Sequence, residues 1–136
     1  MKKLTCFVAG AYSSKYGWFG RAYNVIKMAT YVRKLVKIGV MPIAPNVIYS
    51  LFASHQSREF WLEGTRVLQD KCDVVFFVPG WEVSSGAMEE YVHAIDNNQP
   101  KFHSLLSLKD FSEKSDTLVG VYTLGDGRIR PFHVQK

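Results

Sequence analysis

The sequence predicts an α/β fold. It is expected as a small, Rossmann-like, doubly wound and mainly parallel sheet of about four or five strands, with helices on both faces and a C-terminal β-hairpin. Three observations carry this reading. Val74, Val75, Phe76, Phe77 and Val78 form an apolar run without alternation, the pattern of a strand buried on both faces. Short apolar runs alternate with helical periodicities over residues 4–104. Asp126-Gly127 lies between two β-forming stretches, which marks a hairpin. At 136 residues, with no linker, repeat or low-complexity segment, the chain reads as a single domain over 1–136 with its core at about 4–104.

The elements follow in order. Residues 4–9, with Phe7 and Val8, read as a buried strand ending at Gly10. Residues 11–20 are a loop rich in aromatics, glycine and serine. In it Trp18 and Phe19 either wall a pocket or pack on the first helix. Residues 21–38 have helical spacing in Ala22, Ile26, Ala29, Val32, Leu35 and Val36, with Lys27, Arg33, Lys34 and Lys37 on the wet face and Gly39 as C-cap. Residues 40–44 form a short strand, and Pro42 places it at a sheet edge. Residues 46–53 are a short helix or ordered loop with Tyr49 and Phe52 packed inward. Residues 57–71 read as a helix capped by Ser57, with Phe60, Trp61, Val67 and Leu68 as its apolar stripe. The strand 73–78 is stopped by Pro79-Gly80. A helix then runs over 87–96 with Met88, Tyr91, Val92 and Ile95 on one side. A strand over 101–106 and a helical turn at 108–112 follow. Hairpin strands at 117–123 and 128–134 close the chain.

The chemistry concentrates in residues 72–90. The carboxyl end of a parallel strand, a small-residue loop and a helix N-terminus together form the place where open α/β sheets bind ligands. Glu90 is expected in the first turn of that helix, held ionised by the helix dipole and by loop N–H groups. There it could attack an anomeric carbon or stabilise an oxocarbenium-like centre; the competing reading is a simple dipole complement. Glu89 points about 100° away around the helix and takes a different role. Ser84, Ser85 and Gly86 could donate to a phosphate or sugar hydroxyl, or a serine could cap the helix. Asp73 either orients loops from inside the site or caps the preceding turn.

Other classes find no support. There is no Walker A motif, no G-x-G-x-x-G and no nucleophile elbow. His55, His93, His103 and His133 lack metal-ligand spacing, so neither a metal nor a cofactor is expected. Cys6 and Cys72 form no C-x-x-C pair and read as buried free thiols. The net charge of +5 permits an anionic ligand such as a nucleotide, whereas the scattered lysines and arginines argue against nucleic acid. The apolar run after Met1 is too short for a signal peptide and no stretch is long enough for a membrane span, so a cytoplasmic location without membrane contact is expected.

Phe7-Val8-Ala9-Gly10-Ala11-Tyr12-Ser13, the layout of Asn24, Ala29, Leu35, Gly39 and Pro45, and Cys72-Asp73 followed by Pro79-Gly80-Trp81-Glu82 belong together. With Ser85-Gly86-Ala87-Met88-Glu89-Glu90 and Ala94, they resemble the nucleoside 2-deoxyribosyltransferase superfamily, in a compact branch seen in phage and bacterial proteins. The resemblance covers about 4–104. It implies a Rossmann-like fold. It also implies either base exchange on a 2′-deoxynucleoside or hydrolysis of the N-glycosidic bond of a nucleoside monophosphate. By the family's spacing the nucleophile falls on Glu90, and Ser84 takes the position where a serine tolerates a 5′-phosphate. The implied substrate-binding set is Gly10, Ser13, Asn24, Asp73, Trp81, Ser84, Ser85 and Gly86. The chain departs from the pattern where a base-handling aspartate falls on Thr65 and an early tyrosine on Phe7, with Tyr12 offered from the loop as a catalytic replacement. A small-molecule nucleoside or nucleotide is therefore the expected partner. The alternative is a non-catalytic module that binds such a ligand. A homo-oligomer is expected in either case, and assembly through the tail hairpin is a third reading.

Overall fold

The computed structural model describes residues 3–115 and the backbone of 121–123 and 129–131. Four strands form one parallel sheet in the order β2–β1–β3–β4. β1 (Thr5–Ala9) and β3 (Val74–Phe77) are the inner strands, paired from Cys6↔Val74 to Ala9↔Phe77. β2 (Met41–Ile43) and β4 (Lys101–Phe102) are the edges, and Pro42 sits in the edge strand that its missing N–H requires.

The period-2 alternation of β1 and β3 divides the core. Cys6, Val8, Val74, Phe76 and Val78 meet Met28 and Leu35 of α1 (Gly17–Lys37) and Leu108 of α5 (Leu105–Ser115). Phe7, Ala9, Val75 and Phe77 meet Leu68 of α3 (Arg58–Asp70) and Ala87 and Ala94 of α4 (Ser85–Asp96). The sheet is thus wound on both faces. The chain leaves β1 towards one face and β3 towards the other, so the connections that follow the paired strands part and leave a crevice, the switch point of such sheets.

Two polar devices lock this arrangement. Asp73 accepts from the Thr5 backbone N–H and from Thr5 Oγ1, both at 2.8 Å, and joins the amino ends of β1 and β3. Gln69 and Gln99 form a buried amide pair. Gln99 Nε2 donates to the carbonyls of Gln69 (2.8 Å) and Cys72 (2.9 Å), and Gln69 Nε2 donates to Glu90 O (2.9 Å) and Gln99 Oε1 (3.3 Å). The pair ties α3, α4 and the approaches to β3 and β4 into one unit. Cys6 and Cys72 are buried and form no disulfide, and burial raises the Cys6 thiol far above its ordinary value.

Several boundaries and facings differ from the sequence reading. α1 begins at Gly17, so Trp18 and Phe19 lie in its first turn, stacked on each other at 3.9 Å and exposed. They neither wall a pocket nor pack against the helix. The inward face of α1 centres on Met28, Tyr31, Val32 and Leu35, while Ile26 and Val36 are exposed. The helix carries apolar residues nearly all round, and the sheet, not the periodicity, chose among them. Of the apolar side expected on α4, Tyr91 packs on the core while Met88, Val92 and Ile95 face outward, because the small residues Ala87 and Ala94 allow the closer approach to β3. Residues 45–55 form α2 (Pro45–Ile48) and a 3₁₀ turn, Ser50–His55. Tyr49 and Phe52 in this stretch are exposed, not inward. β4 stops at Phe102 because Ser104 opens α5, accepting at its carbonyl from Leu108 N–H and from Ser107 Oγ. The hairpin strands pair antiparallel over the shorter spans β5 (Val121–Thr123) and β6 (Ile129–Pro131); the rest of the expected hairpin, with its turn and His133, lies outside the described residues.

Phe76 is fully buried in the central strand, with the Tyr31 ring 5.8 Å away. Phe76→Ala is expected to cost about 3–5 kcal/mol, read as a lower urea midpoint at unchanged slope.

Candidate active site

The carboxyl ends of β1, β2 and β3 open into a pocket of about 510 Å³. Each wall has a local cause. After β1, Gly10 turns the chain where a Cβ would stand 2.8 Å from Met28 Cε and 3.2 Å from Val78 Cβ, so a larger residue would displace the Met28 side-chain end and press on Val78. Tyr12 and Ser13 follow along the rim. Asn24 of α1 donates to the carbonyls of Tyr12 (3.2 Å) and Ser13 (3.3 Å) and holds this loop down. After β2, Asn46 donates to Gly10 O at 3.4 Å. The 3₁₀ turn is pinned from both sides, by Tyr12 Oη donating to Ser50 O (3.4 Å) and by Trp61 Nε1 donating to Ala53 O (2.9 Å). After β3, Gly80 adopts φ +92°, a conformation that favours glycine, and turns the chain towards Ser84. Ser84 Oγ accepts from Ala87 N–H at 3.3 Å and caps α4, so Ser84, Ser85 and Gly86 reach the pocket at a helix N-terminus.

α3 contributes Arg58, Trp61, Leu62 and Thr65, one face of a helix at steps of three and four. The same face continues to the buried Gln69, whose amide holds the backbone of Glu90. Arg58 Nη2 lies 3.0 Å from Glu89 Oε1 and 3.4 Å from Ser85 Oγ, and Arg66 reaches Glu89 Oε2 at 3.6 Å. Glu89 thus serves an outer ion-pair network while Glu90 turns to the pocket. Thr65 donates its hydroxyl to Leu62 O at 3.1 Å.

Glu90 is the one acidic side chain among the pocket's lining residues. It lies on the inner face of α4 between Ala87 and Ala94, and its Oε2 is buried without a hydrogen-bond partner. α4 starts at Ser85, so Glu90 stands in the second turn and not, as the sequence reading has it, in the first. The expected ionised carboxylate is corrected accordingly. Burial, with a smaller contribution from the Glu89 charge, pushes the carboxyl from its ordinary 4.5 up to about 8. At neutral pH the free protein holds Glu90 protonated.

The structure brings Gly10, Tyr12, Ser13, Ser84, Ser85, Gly86 and Glu90 together around this pocket. Three expected site residues stand elsewhere. Asn24 supports the rim from behind. Asp73 sits at the opposite, amino end of the sheet, bound to Thr5. Trp81 is buried in the α3/α4 core against Phe77 (4.9 Å) and Tyr91 (4.8 Å). Phe7 is in the same core, and Thr65 is on the pocket wall. Sequence reasoning passed over Arg21, Arg58 and the aromatic wall of Tyr49 and Trp61, whose rings lie 5.5 Å apart. The signal for Arg58 was available: it shares the three-to-four spacing of Trp61, Leu62 and Thr65 on one face of α3. Among the described residues, no group of three or more His, Cys, Asp or Glu could hold a metal ion. Among the described residues, no helix is long and apolar enough to cross a membrane.

A family model described as Domain of unknown function (DUF7768) matches residues 7–103. The chain belongs to this family. Comparison with curated proteins and with solved structures found no match. The DUF7768 span runs from within β1 to just past β4, so it takes in every lining residue of the pocket and leaves α5 and the hairpin outside.

A carboxyl group raised from 4.5 to about 8 weakens the fold as pH climbs through that interval, because the unfolded chain releases the proton more readily. Glu90→Gln, which mimics the protonated form, is expected to be more stable than the parent by about 3 kcal/mol at pH 7. The difference should vanish below pH 4.5, as measured by denaturant unfolding at both pH values.

Proposed function

We propose that this protein cleaves or transfers at the N-glycosidic bond of a nucleoside or deoxynucleoside, or its 5′-monophosphate, with Glu90 as nucleophile. The observation that carries the reading is the buried Glu90 carboxyl, with an unpartnered oxygen, at a pocket on the carboxyl ends of the parallel strands. A poorly solvated carboxylate is stabilised by positive charge developing beside it, and the anomeric carbon of a departing glycoside supplies that charge. In the step proposed, one Glu90 oxygen bonds to C1′ as the C1′–N bond breaks. The bonding pair leaves with the base, which takes a proton from water in the pocket mouth. Water, or the nitrogen of a second base, then attacks C1′ and releases the carboxylate.

The other walls suit such a substrate. Tyr49 and Trp61 present aromatic surface for a base, Ser13, Ser84 and Ser85 offer hydroxyls, and Arg21 and Arg58 supply positive charge for a phosphate. A cytoplasmic setting, where nucleotides are abundant, belongs to the same proposal. One observation favours a second reading, a module that binds the ligand without turning it over. Thr65 occupies the position expected for a base-handling acid, and its hydroxyl is engaged with Leu62 O.

The test is a panel of ribo- and deoxyribonucleosides and their 5′-monophosphates, with free base followed by chromatography. Wild type is expected to release base, and Glu90→Ala to lose at least on the order of a thousandfold in rate while staying folded. Because the nucleophile has to be ionised, kcat/KM is expected to rise about tenfold per pH unit and level off above about 8. Equal turnover by Glu90→Ala refutes the nucleophile. A thermal shift without base release from any substrate supports the binding module.

A further inference from the structure

Two groups compete for Arg58. It opens α3 as Ser85 opens α4, and Arg58 Nη2 lies 3.4 Å from Ser85 Oγ on the pocket wall. The same nitrogen lies 3.0 Å from Glu89 Oε1. Both side chains of this ion pair are open to solvent, 56% and 38%, and an exposed pair holds its partners weakly. Glu89 also has a second cation. Arg66 Nη2 stands 3.6 Å from Glu89 Oε2 and takes no part in the pocket lining. Arg58 can therefore leave Glu89 without stranding a carboxylate.

An anion at the amino end of α4 would draw it away. The first helical bond of α4 runs from Met88 N–H to Ser84 O, and the Ala87 N–H is taken by Ser84 Oγ. The N–H groups of Ser85 and Gly86 come before these and have no acceptor within the helix. Gly86 keeps that end bare. A Cβ there would meet nothing nearer than Ser84 Oγ at 3.9 Å, and its φ is not positive. Neither packing nor backbone conformation asks for glycine, and alanine favours a helix more. A separate observation places a ligand alongside. Glu90 is 9% exposed, its Oε2 is buried without a partner, and it lines the same pocket.

Distance then selects the anion. Residues 86 and 90 lie on one face of α4, about 6 Å apart along the axis at 1.5 Å per residue. Five bonds separate C1′ from the phosphorus of a nucleoside 5′-monophosphate. At about 3.8 Å for three extended bonds, they reach roughly 6 Å. A sugar with C1′ at Glu90 thus sets its 5′-phosphate beside Gly86 and Arg58, whose planar fork matches phosphate oxygens. A free nucleoside ends in a neutral hydroxyl, which cannot compete with Glu89 for a guanidinium.

We infer that Arg58 sets the specificity of the pocket for a phosphomonoester: Glu89 holds it in the free protein, and the 5′-phosphate of a bound nucleotide takes it over while Arg66 keeps Glu89. The inference rests on the nucleoside or nucleotide reading of the pocket given above. Arg21, the other arginine of the wall, stands over the Tyr12 ring at 6.0 Å and provides the comparison.

Isothermal titration calorimetry tests this on Glu90→Gln protein, which cannot form a glycosyl ester, with circular dichroism to confirm the fold of each variant. The probes are the common ribo- and 2′-deoxynucleosides and their 5′-monophosphates. At least one monophosphate is expected to bind on the order of tenfold to a hundredfold tighter than its own nucleoside. Added Arg58→Ala or Gly86→Ala is expected to bring that ratio down to about one, with nucleoside affinity unchanged after Arg58→Ala. Glu89→Gln is expected to raise the ratio, Arg66→Ala to lower it because Glu89 then depends on Arg58 alone, and Arg21→Ala to lower it by less than Arg58→Ala. Equal affinity for nucleoside and monophosphate, a ratio that Arg58→Ala leaves unmoved, a larger loss from Arg21→Ala, or no binding of any probe overturns the inference. A ratio that follows Arg58 while wild type releases no base upholds it and refutes the nucleophile. Base release without such a ratio does the reverse.

Discussion

The pairing of β1 with β3 is the constraint on which the rest depends. Cys6 to Ala9 and Val74 to Phe77 lie side by side with both faces buried. A strand pair apolar on both faces has to be covered on both, and parallel strands need crossovers long enough to be helices. α1 therefore takes one face and α3 and α4 the other. Once the crossovers from β1 and β3 diverge, the loops beyond the paired carboxyl ends separate. The pocket is a consequence of that separation and not an added feature. Asp73 on Thr5 closes the opposite end of the same pair, which is why an acidic residue at the start of the strand ends up structural.

Within this frame the position of Glu90 is bought with stability. A carboxyl group between two alanines, facing a sheet, is a poor choice for packing alone, since an apolar residue would avoid its desolvation. The buried amide pair holds its backbone in place: Gln69 grips the Glu90 carbonyl while Gln99 grips Gln69 and the approach to β3. The outer network of Arg58, Arg66 and Glu89 compensates the adjacent negative charge on the solvent side. An energetically costly group supported on both sides is the arrangement expected where chemistry is done.

The fold was largely legible. The unalternating run in β3, Gly39 after α1, Ser57 before α3 and Pro42 at an edge are local signals read by local rules, and each element lies close to where those rules place it. Legibility failed where a helix offered more than one apolar face. Met88, Tyr91, Val92 and Ile95 read as one apolar side of α4, yet of these only Tyr91 packs on the core, where Ala87, Glu90 and Ala94 are buried, because closeness to the sheet outweighed side-chain hydropathy. Half of the pocket wall was legible from the loops that end β1 and β3. The wall from α3 carried a signal in the spacing of Arg58, Trp61, Leu62 and Thr65, but spacing alone does not say which face of a helix meets the pocket.

By itself the sequence determined the class of fold, the order of its elements and the carboxylate around which the pocket forms. Those follow from hydrophobic period, turn chemistry and capping, which act over a few residues. Only the tertiary structure decided that Glu90 is protonated, that Asp73 and Trp81 serve the frame, and that α1 leaves an aromatic face uncovered. Desolvation and exposure depend on what lies across space from a residue, and that is set by packing between elements far apart in the chain.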